Sequence, residues 1–320
     1  MPLTSGEKSN FFDFLTRLSS LYYLEGKTQA KVAQELGISR QKVQRLLQQA
    51  RELEIVKINI RTLPTVSLDL EKRLKAHFKL KNVVVAASPP GEMEHRQAVA
   101  RAAASYLERH LSNGTVVAVG MGRNTGGIPD FFNPPRVIDC TFVSAMGGSP
   151  HVGESINPNT ICQKLATNSG GRAMSLHAPA YVDSKRVRDI LFAQEAVKPI
   201  LTQSKRADKA IVGIGTPSDD STLVRMDCLS VAEAHRLGAS GAVGDVLGDY
   251  FDEEGRMINS DLQGRLVGLT LEDLRNIPEV IAAVSETGKS KAILGALRTG
   301  VIHTLITDSD NAMDVLCMVT

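Results

Sequence analysis

The chain has 320 residues, 42% of them hydrophobic and 22% charged, with a formal net charge of +2. That length suits two domains rather than one, and no apolar run reaches the roughly 18–20 residues of a membrane span. The opening MPLTSGEKSN lacks the apolar stretch of a signal peptide, so a cytoplasmic protein is expected. Four cysteines without a CxxC pair and seven dispersed histidines point to reduced thiols, with no metal, disulfide or cofactor expected.

Charge is unevenly spread. Residues 1–61 carry ten Lys/Arg against six Asp/Glu, and the remainder carries 27 against 29. A small basic head on a slightly acidic body suits a head that meets a polyanion.

The first element expected is a helix from Phe11 to Leu24, with Phe11, Phe14, Leu15, Leu18, Leu21 and Tyr22 turned inward. Next comes TQAKVAQELGISRQKVQRLLQQA, Thr28 to Ala50. Ala30, Val32, Ala33 and Leu36 lie on one face of a short helix that Thr28 can cap. Gly37 supplies the positive φ of a sharp stop, Ile38 is an apolar plug, and Ser39 is a second N-cap. Val43, Leu46, Leu47 and Ala50 then form the buried stripe of another helix. This is the helix-turn-helix pattern, whose second helix enters the major groove of DNA.

Opposite that stripe lie Arg40, Gln41, Gln44, Arg45 and Gln48, with Lys42 on the flank. Arg can bond guanine O6 and N7 bidentately, and Gln can do the same with adenine N6 and N7. A plain solvent face would also be polar, but no acidic residue stands between Ser39 and Ala50. The expected DNA-binding residues are Thr28, Gln29, Ser39, Arg40, Gln41, Lys42, Gln44 and Arg45. The alternating IVKINIR, Ile55 to Arg61, reads as a wing strand, so residues 1–61 form a winged helix-turn-helix domain.

Residues 62–80 form a linker helix with Leu70, Leu74 and Phe78 at i, i+4 and i+8. It docks on the second domain or packs against a second copy. From residue 81 to 320 strands alternate with helices. Strands are expected at 82–88, in Gly114–Thr125, and at Val137–Val143, Lys209–Ile214, Glu279–Ser285 and His303–Asp308. Helices are expected at Glu92–Leu111, Asn159–Ser169, Lys185–Ala193, Val231–Leu237, Lys289–Leu297 and Asp310–Leu316. Such alternation means a Rossmann-like, mainly parallel α/β domain with ligands at the carboxyl ends of its strands.

Two glycine-rich stretches carry the chemistry. GMGRNTGG, Gly120 to Gly127, follows a strand and could cradle an anion on its N–H groups. Thr125 stands where a dinucleotide fingerprint needs its third glycine, and no Gly-Lys-Ser/Thr follows, so it is not a Walker loop. In GAVGDVLGDYFDEEG, Asp245 leaves a glycine turn. Lys289 opens a helix, where the dipole disfavours a cation unless an anion binds too. A bare turn, a solvated loop acid and a surface lysine would account for the same residues.

The arrangement resembles the SorC family of sugar-responsive bacterial transcriptional regulators. The matching pieces are LYYLEGKTQAKVAQELGISRQKVQRLLQQARELEIVKI, VGMGRNT, GDVLGDYFDEEG and GKSKAILGALRTGVIHTLITD. The resemblance implies a sugar-phosphate-isomerase-like domain without catalysis, binding a phosphorylated sugar or polyol and altering operator affinity in a homodimer or homotetramer. It implies effector contacts from Gly120, Gly122, Arg123, Asn124, Thr125, Asp245 and Lys289, with the phosphate on the glycine-rich loop. One departure is Met121, where an aromatic before the second glycine is common in the family. The expected function is therefore a regulator of a carbohydrate or polyol operon, more in keeping with a repressor, with double-stranded operator DNA as partner and no membrane. The alternative is a sugar-phosphate isomerase or deaminase with an accessory head, for which Asp245 is the one candidate base.

Overall fold

The computed structural model describes residues 5–53, 55–56, 65–149 and 155–319. The chain divides into two compact units, Met1–Leu63 and Pro64–Thr320.

In the first unit, helix α1 (Ser5–Ser19) starts earlier than the apolar pattern suggests and runs into an i→i+5 turn over Ser20–Leu24. That turn is closed by the Glu25 N–H donating to Ser20 O at 3.0 Å. Helices α2 (Gln29–Leu36) and α3 (Arg40–Glu52) follow. Leu15, Leu18 and Leu21 meet Val32 and Ala33 of α2 and Val43, Leu46, Leu47 and Ala50 of α3 in one core. Phe11, Phe14 and Tyr22 are only half-buried at its rim, where Ile55 and Val56 also pack. Beyond Val56 the expected wing strand lies outside the described residues.

The second unit opens with α4 (Thr65–Phe78), β1 (Asn82–Ala86), α5 (Glu92–His110), β2 (Val116–Val119), α6 (Arg123–Gly127) and β3 (Thr141–Ser144). Next come α7 (Pro158–Ser169), β4 (Arg172–Met174), α8 (Lys185–Phe192), α9 (Lys198–Lys205), β5 (Lys209–Val212), α10 (Thr222–Arg225) and α11 (Val231–Ala239). The last elements are β6 (Gly244–Val246), β7 (Asp249–Phe251), α12 (Leu271–Arg275), β8 (Glu279–Ala283), α13 (Ser290–Arg298), β9 (Thr304–Asp308) and α14 (Ser309–Cys317). Seven strands form one parallel sheet in the order β1-β9-β8-β5-β2-β3-β4. Strands β6 and β7 make a separate antiparallel hairpin.

Alternation along the strands builds a core on each face. Val117, Val119, Ile211 and Ile281 meet α5 and α7, while Ala118, Ala210, Val212 and Val280 pack into the opposite core. Leu70 and Leu74 of α4 belong to that second core, with Phe78 half-buried against it, so the helix read as a linker docks on the α/β unit. The sequence reading missed β4, α9, α10, α12 and the β6–β7 hairpin, and the strand expected from Val137 begins only at Thr141, because Val137 is exposed.

At the amino ends of the strands, Glu279 is 2% exposed. It pairs with Lys209 and accepts hydrogen bonds from Tyr106 Oη at 2.7 Å and Thr304 Oγ1 at 2.8 Å. Burial pushes this carboxyl up, but the three donors outweigh burial and hold it at about 2. A carboxyl lowered on folding contributes stability above its unfolded value and loses it as pH falls towards the folded one. Removing one partner of such a pair costs about 3–5 kcal/mol. Glu279→Gln is therefore expected to destabilise the α/β unit strongly at pH 7, with the deficit shrinking as pH drops from about 4.5 towards 2. Urea unfolding of both proteins across that range checks it; a pH-independent deficit contradicts the assignment.

Candidate functional site

The head owes its shape to three local signals. Thr28 Oγ1 accepts the Lys31 N–H at 3.3 Å and Ser39 Oγ accepts the Lys42 N–H at 3.2 Å, so both helices begin with a side-chain cap. Between them Gly37 sits at φ +64°. The Ile38 N–H reaches Ala33 O at 3.0 Å and the Gly37 N–H reaches Gln34 O at 3.4 Å, the paired bonds of a Schellman stop. With Val43, Leu46, Leu47 and Ala50 buried, α3 leaves Arg40, Gln41, Lys42, Gln44 and Arg45 exposed together.

A shallow groove brings Thr28, Gln29 and Arg40 together beside Tyr22, Tyr23 and Lys27. The sequence reading assigned no DNA role to those last three residues. Lys27 is held by Glu25 at 2.9 Å and Glu35 at 2.6 Å, and the Glu35 contact is the main cause of its raised pKa. Replacing a Ser or Thr cap by Ala costs about 1 kcal/mol and by Gly only a few tenths. Ser39→Ala is thus expected to lower the thermal stability of the head and Ser39→Gly to lower it less. Calorimetry that finds Ser39→Ala as stable as the wild type rules the cap out as a contributor.

In the second unit, the sheet reverses its order between β2 and β5, and the loops leaving their carboxyl ends diverge there. A cleft opens at that point, lined by Met121 to Asn124 after β2, Gly213 to Gly215 after β5, Glu286 and Lys289 after β8, and Asp245, Leu247 and Gly248 of the hairpin. Met146 and Ser221 to Leu223 complete the wall.

Five of the seven residues expected at this site line it: Gly122, Arg123, Asn124, Asp245 and Lys289. Gly120 and Thr125 do not. Thr125 is fully buried, and its hydroxyl faces the carbonyls of Gly120 at 3.2 Å and Gly122 at 3.1 Å, closing the loop on itself. Gly120 serves close packing, since a Cβ there would lie 2.5 Å from Leu247 Cδ2.

Asp245 is neither at a turn exit nor solvated. It lies on β6, 7% exposed, and its carboxylate accepts the Gly248 N–H at 3.0 Å, bracing the hairpin turn. Burial pushes its carboxyl up to about 6, against the Gly248 bond and the nearby Lys289 charge. Its backbone is bridged to Gly215, where any Cβ would meet Asp245 Oδ1 at 2.0 Å. Lys289 is 7% exposed and donates to Ile214 O at 3.2 Å. Burial pulls its pKa down, while Glu286 and Asp245 oppose that shift.

Arg123 is clamped between two carboxylates. Its Nη1 donates to Asp220 at 2.7 Å and lowers that carboxyl, while its Nε and Nη2 reach Glu286 at 3.1 and 3.3 Å. Glu286 also lies 3.5 Å from Lys289 Nζ, supplying an anion beside the start of α13. Asn124 Oδ1 accepts from Ser285 Oγ at 2.6 Å, tying the β2 loop to the β8 loop. Sequence reasoning missed Glu286; its one local signal is a carboxylate three residues before Lys289 in ETGKS. The arrangement can offer two cations to an acid group and two carboxylates to hydroxyls. Among the described residues no group of His, Cys, Asp and Glu could hold a metal ion, and no helix is long and apolar enough to cross a membrane.

The family model described as "Putative sugar-binding domain" matches residues 64–317, and one described as "Sigma-70, region 4" matches residues 20–53. The transcriptional regulator YjhU of Escherichia coli is 31% identical over 91% of this chain and 90% of its own length. The erythritol catabolism regulatory protein EryD of Brucella abortus is 29% identical over 92% of this chain and 94% of its own. Among solved structures, the full-length sorbitol operon regulator SorC of Klebsiella pneumoniae matches with TM-score 0.77 at 27% identity, covering 95% of this chain and 98% of that one. The sugar-binding domain of a Vibrio fischeri transcriptional repressor matches with TM-score 0.73 at 36% identity, over 78% of this chain and 98% of that one. The sugar-binding family model spans most of the chain, and YjhU, EryD and SorC each match more than nine-tenths of it, so the chain belongs to the SorC family of DNA-binding transcriptional regulators.

Proposed function

We propose that the chain is a repressor of a carbohydrate or polyol catabolic operon, controlled by a phosphorylated small sugar or polyol and working as a homodimer or homotetramer without catalysis. The observation that carries the reading is the convergence of Arg123, Asp245 and Lys289 in one cleft at the carboxyl ends of the strands. Arg123, Lys289 and the N–H groups of the loop around Gly122 suit a phosphate; Asp245 suits hydroxyls. Oligomerisation follows from the head, because one helix-turn-helix reads a half-site and a palindromic operator needs two. The residues of the first unit proposed to touch DNA are Thr28, Gln29, Ser39, Arg40, Gln41, Lys42, Gln44 and Arg45.

One observation favours a second reading. A carboxyl near pH 6 in a cleft, as burial makes Asp245, suits a general base, so sugar-phosphate isomerisation is the competitor. Asp245 is, however, already bonded to the Gly248 N–H, and catalysis leaves the exposed basic face of α3 without a purpose. Turnover of sugar phosphates by the purified protein would decide for the enzyme.

For DNA, Arg45→Ala is expected to weaken operator binding by about 1–3 kcal/mol if Arg45 reads a base. Binding should also fall steeply with salt as counterions are released. A folded Arg40→Ala/Gln44→Ala/Arg45→Ala triple variant with unchanged operator affinity overturns the recognition helix. For the effector, a panel of phosphorylated sugars and polyols should contain a compound that raises the melting temperature and alters operator affinity. A ligand at about 100 times its Kd adds about 2.7 kcal/mol. Asp245→Ala and Lys289→Ala are expected to abolish that response while operator binding persists. Gly215→Ala should do the same, by pushing Asp245 aside. Retention of the wild-type response in Asp245→Ala and Lys289→Ala places the effector elsewhere.

A further inference from the structure

Both cations of the cleft already face one carboxylate of the same cleft. Glu286 receives the Arg123 fork, lies 3.5 Å from Lys289 Nζ, and has Arg96 Nη1 3.8 Å from its Oε1. It is 6% exposed and sits at φ +94°, a left-handed conformation unfavourable to a residue with a Cβ. Asn311 Nδ2 holds its carbonyl at 3.0 Å in that pose. For all these charges, Oε1 is buried without a hydrogen bond of good geometry. The carboxylate is therefore itself incompletely satisfied by the cations around it, and it gives up little when a tetrahedral dianion takes its place on them.

Resting on the effector reading above, we propose that Glu286 is a resident counter-ion. It stands in for the effector's phosphate between Arg123 and Lys289, and the incoming dianion must displace it from Arg123. The exchange sets both the affinity of the cleft and its preference for dianions. A monoanion that replaces one carboxylate by another gains no charge, whereas a phosphate dianion gains one. With Glu286 in place, buried Lys289 and half-buried Arg123 each keep an anionic partner while no effector is bound, which avoids leaving an unpaired charge in the cleft. Glu286 thus selects against weakly charged sugars, a repulsive element of the kind that specificity requires.

The test uses the full-length protein, with inorganic phosphate and acetate as probes, read by thermal shift at constant ionic strength. Glu286→Gln is expected to lower the phosphate concentration for half-maximal stabilisation by about tenfold or more relative to wild type, and to acquire a response to acetate that the wild type lacks. Glu286→Ser, smaller and equally uncharged, should behave alike and covers a folding failure of the first variant. Arg123→Ala in the Glu286→Gln background should erase the gain. Phosphate responses of Glu286→Gln and Glu286→Ser equal to or weaker than wild type overturn the counter-ion, as does a gain that survives Arg123→Ala. If those responses are unchanged while a sugar phosphate still acts through Lys289, the effector cleft stands and the counter-ion falls. If the gain appears but no sugar phosphate alters operator binding, the counter-ion stands and the effector reading falls.

Discussion

Parallel pairing of β2 with β5 and of β5 with β8 is the constraint on which the larger unit depends. Val119 lies beside Ile211 and Val212 beside Ala282, so the three strands end at one level. The loops that follow them, carrying Arg123, Gly215 and Glu286, must then emerge along one edge of the sheet. A slip of one residue would turn Ala118 and Ala210 into the α5–α7 core and Val117 and Ile211 out of it, so burial on both faces fixes the register. The cleft needs no dedicated scaffold of its own. It is what remains where the strand order reverses, roofed by the β6–β7 hairpin, whose Asp245 bridges back to Gly215.

Strand β8 and the turn after it set two buried carboxylates at opposite ends of the sheet, and their partners give them different characters. Glu279 has three donors on it and a lowered pKa, the signature of an ion pair fixed in place. Glu286 has three cations within 4 Å but leaves one oxygen without a hydrogen bond, on a backbone in a left-handed conformation. A fully satisfied buried network rigidifies, whereas a partly satisfied one has something to gain by rearranging. Strain of this kind persists only where the surroundings hold it, as Asn311 does here, and it gathers at sites that change state. Low dielectric sharpens the contrast, because each unmade bond matters more inside the cleft than at the surface.

How much of this was legible in the sequence follows the range of the forces involved. The head was readable almost residue by residue, since Thr28, Gly37 and Ser39 act on atoms within five positions of themselves. The central parallel strands were readable as apolar runs because both their faces are buried. Strand β4, three residues long and half-exposed, carried no such run. Helix α9 was hidden by Pro199, which reads as a breaker yet is well tolerated in a first turn. The hairpin looked like a glycine loop, because its identity rests on Leu247 and Gly248 both taking positive φ. In the cleft, Asp245 and Lys289 announced themselves through motif spacing. Glu286 did not, because its partner Arg123 lies 163 positions away and only the fold brings them together.

The two units also differ in how they meet the cost of folding. The head has a core of nine buried apolar residues among those described, small for a free-standing domain. Hydrophobic burial there leaves little surplus over the ordering of the backbone, so terms of about 1 kcal/mol at its caps are a large share of what remains. The sheet unit, with cores on both faces, can instead tolerate buried charges and a left-handed glutamate. Strain and unpaired polarity belong where the surplus is large, and regular, locally specified helices belong where it is small. That division suits the proposed function as well: a helix that reads DNA through Arg40, Gln44 and Arg45 would have to present them in one fixed geometry, while a cleft that answers to an effector would need two states of similar energy to choose between.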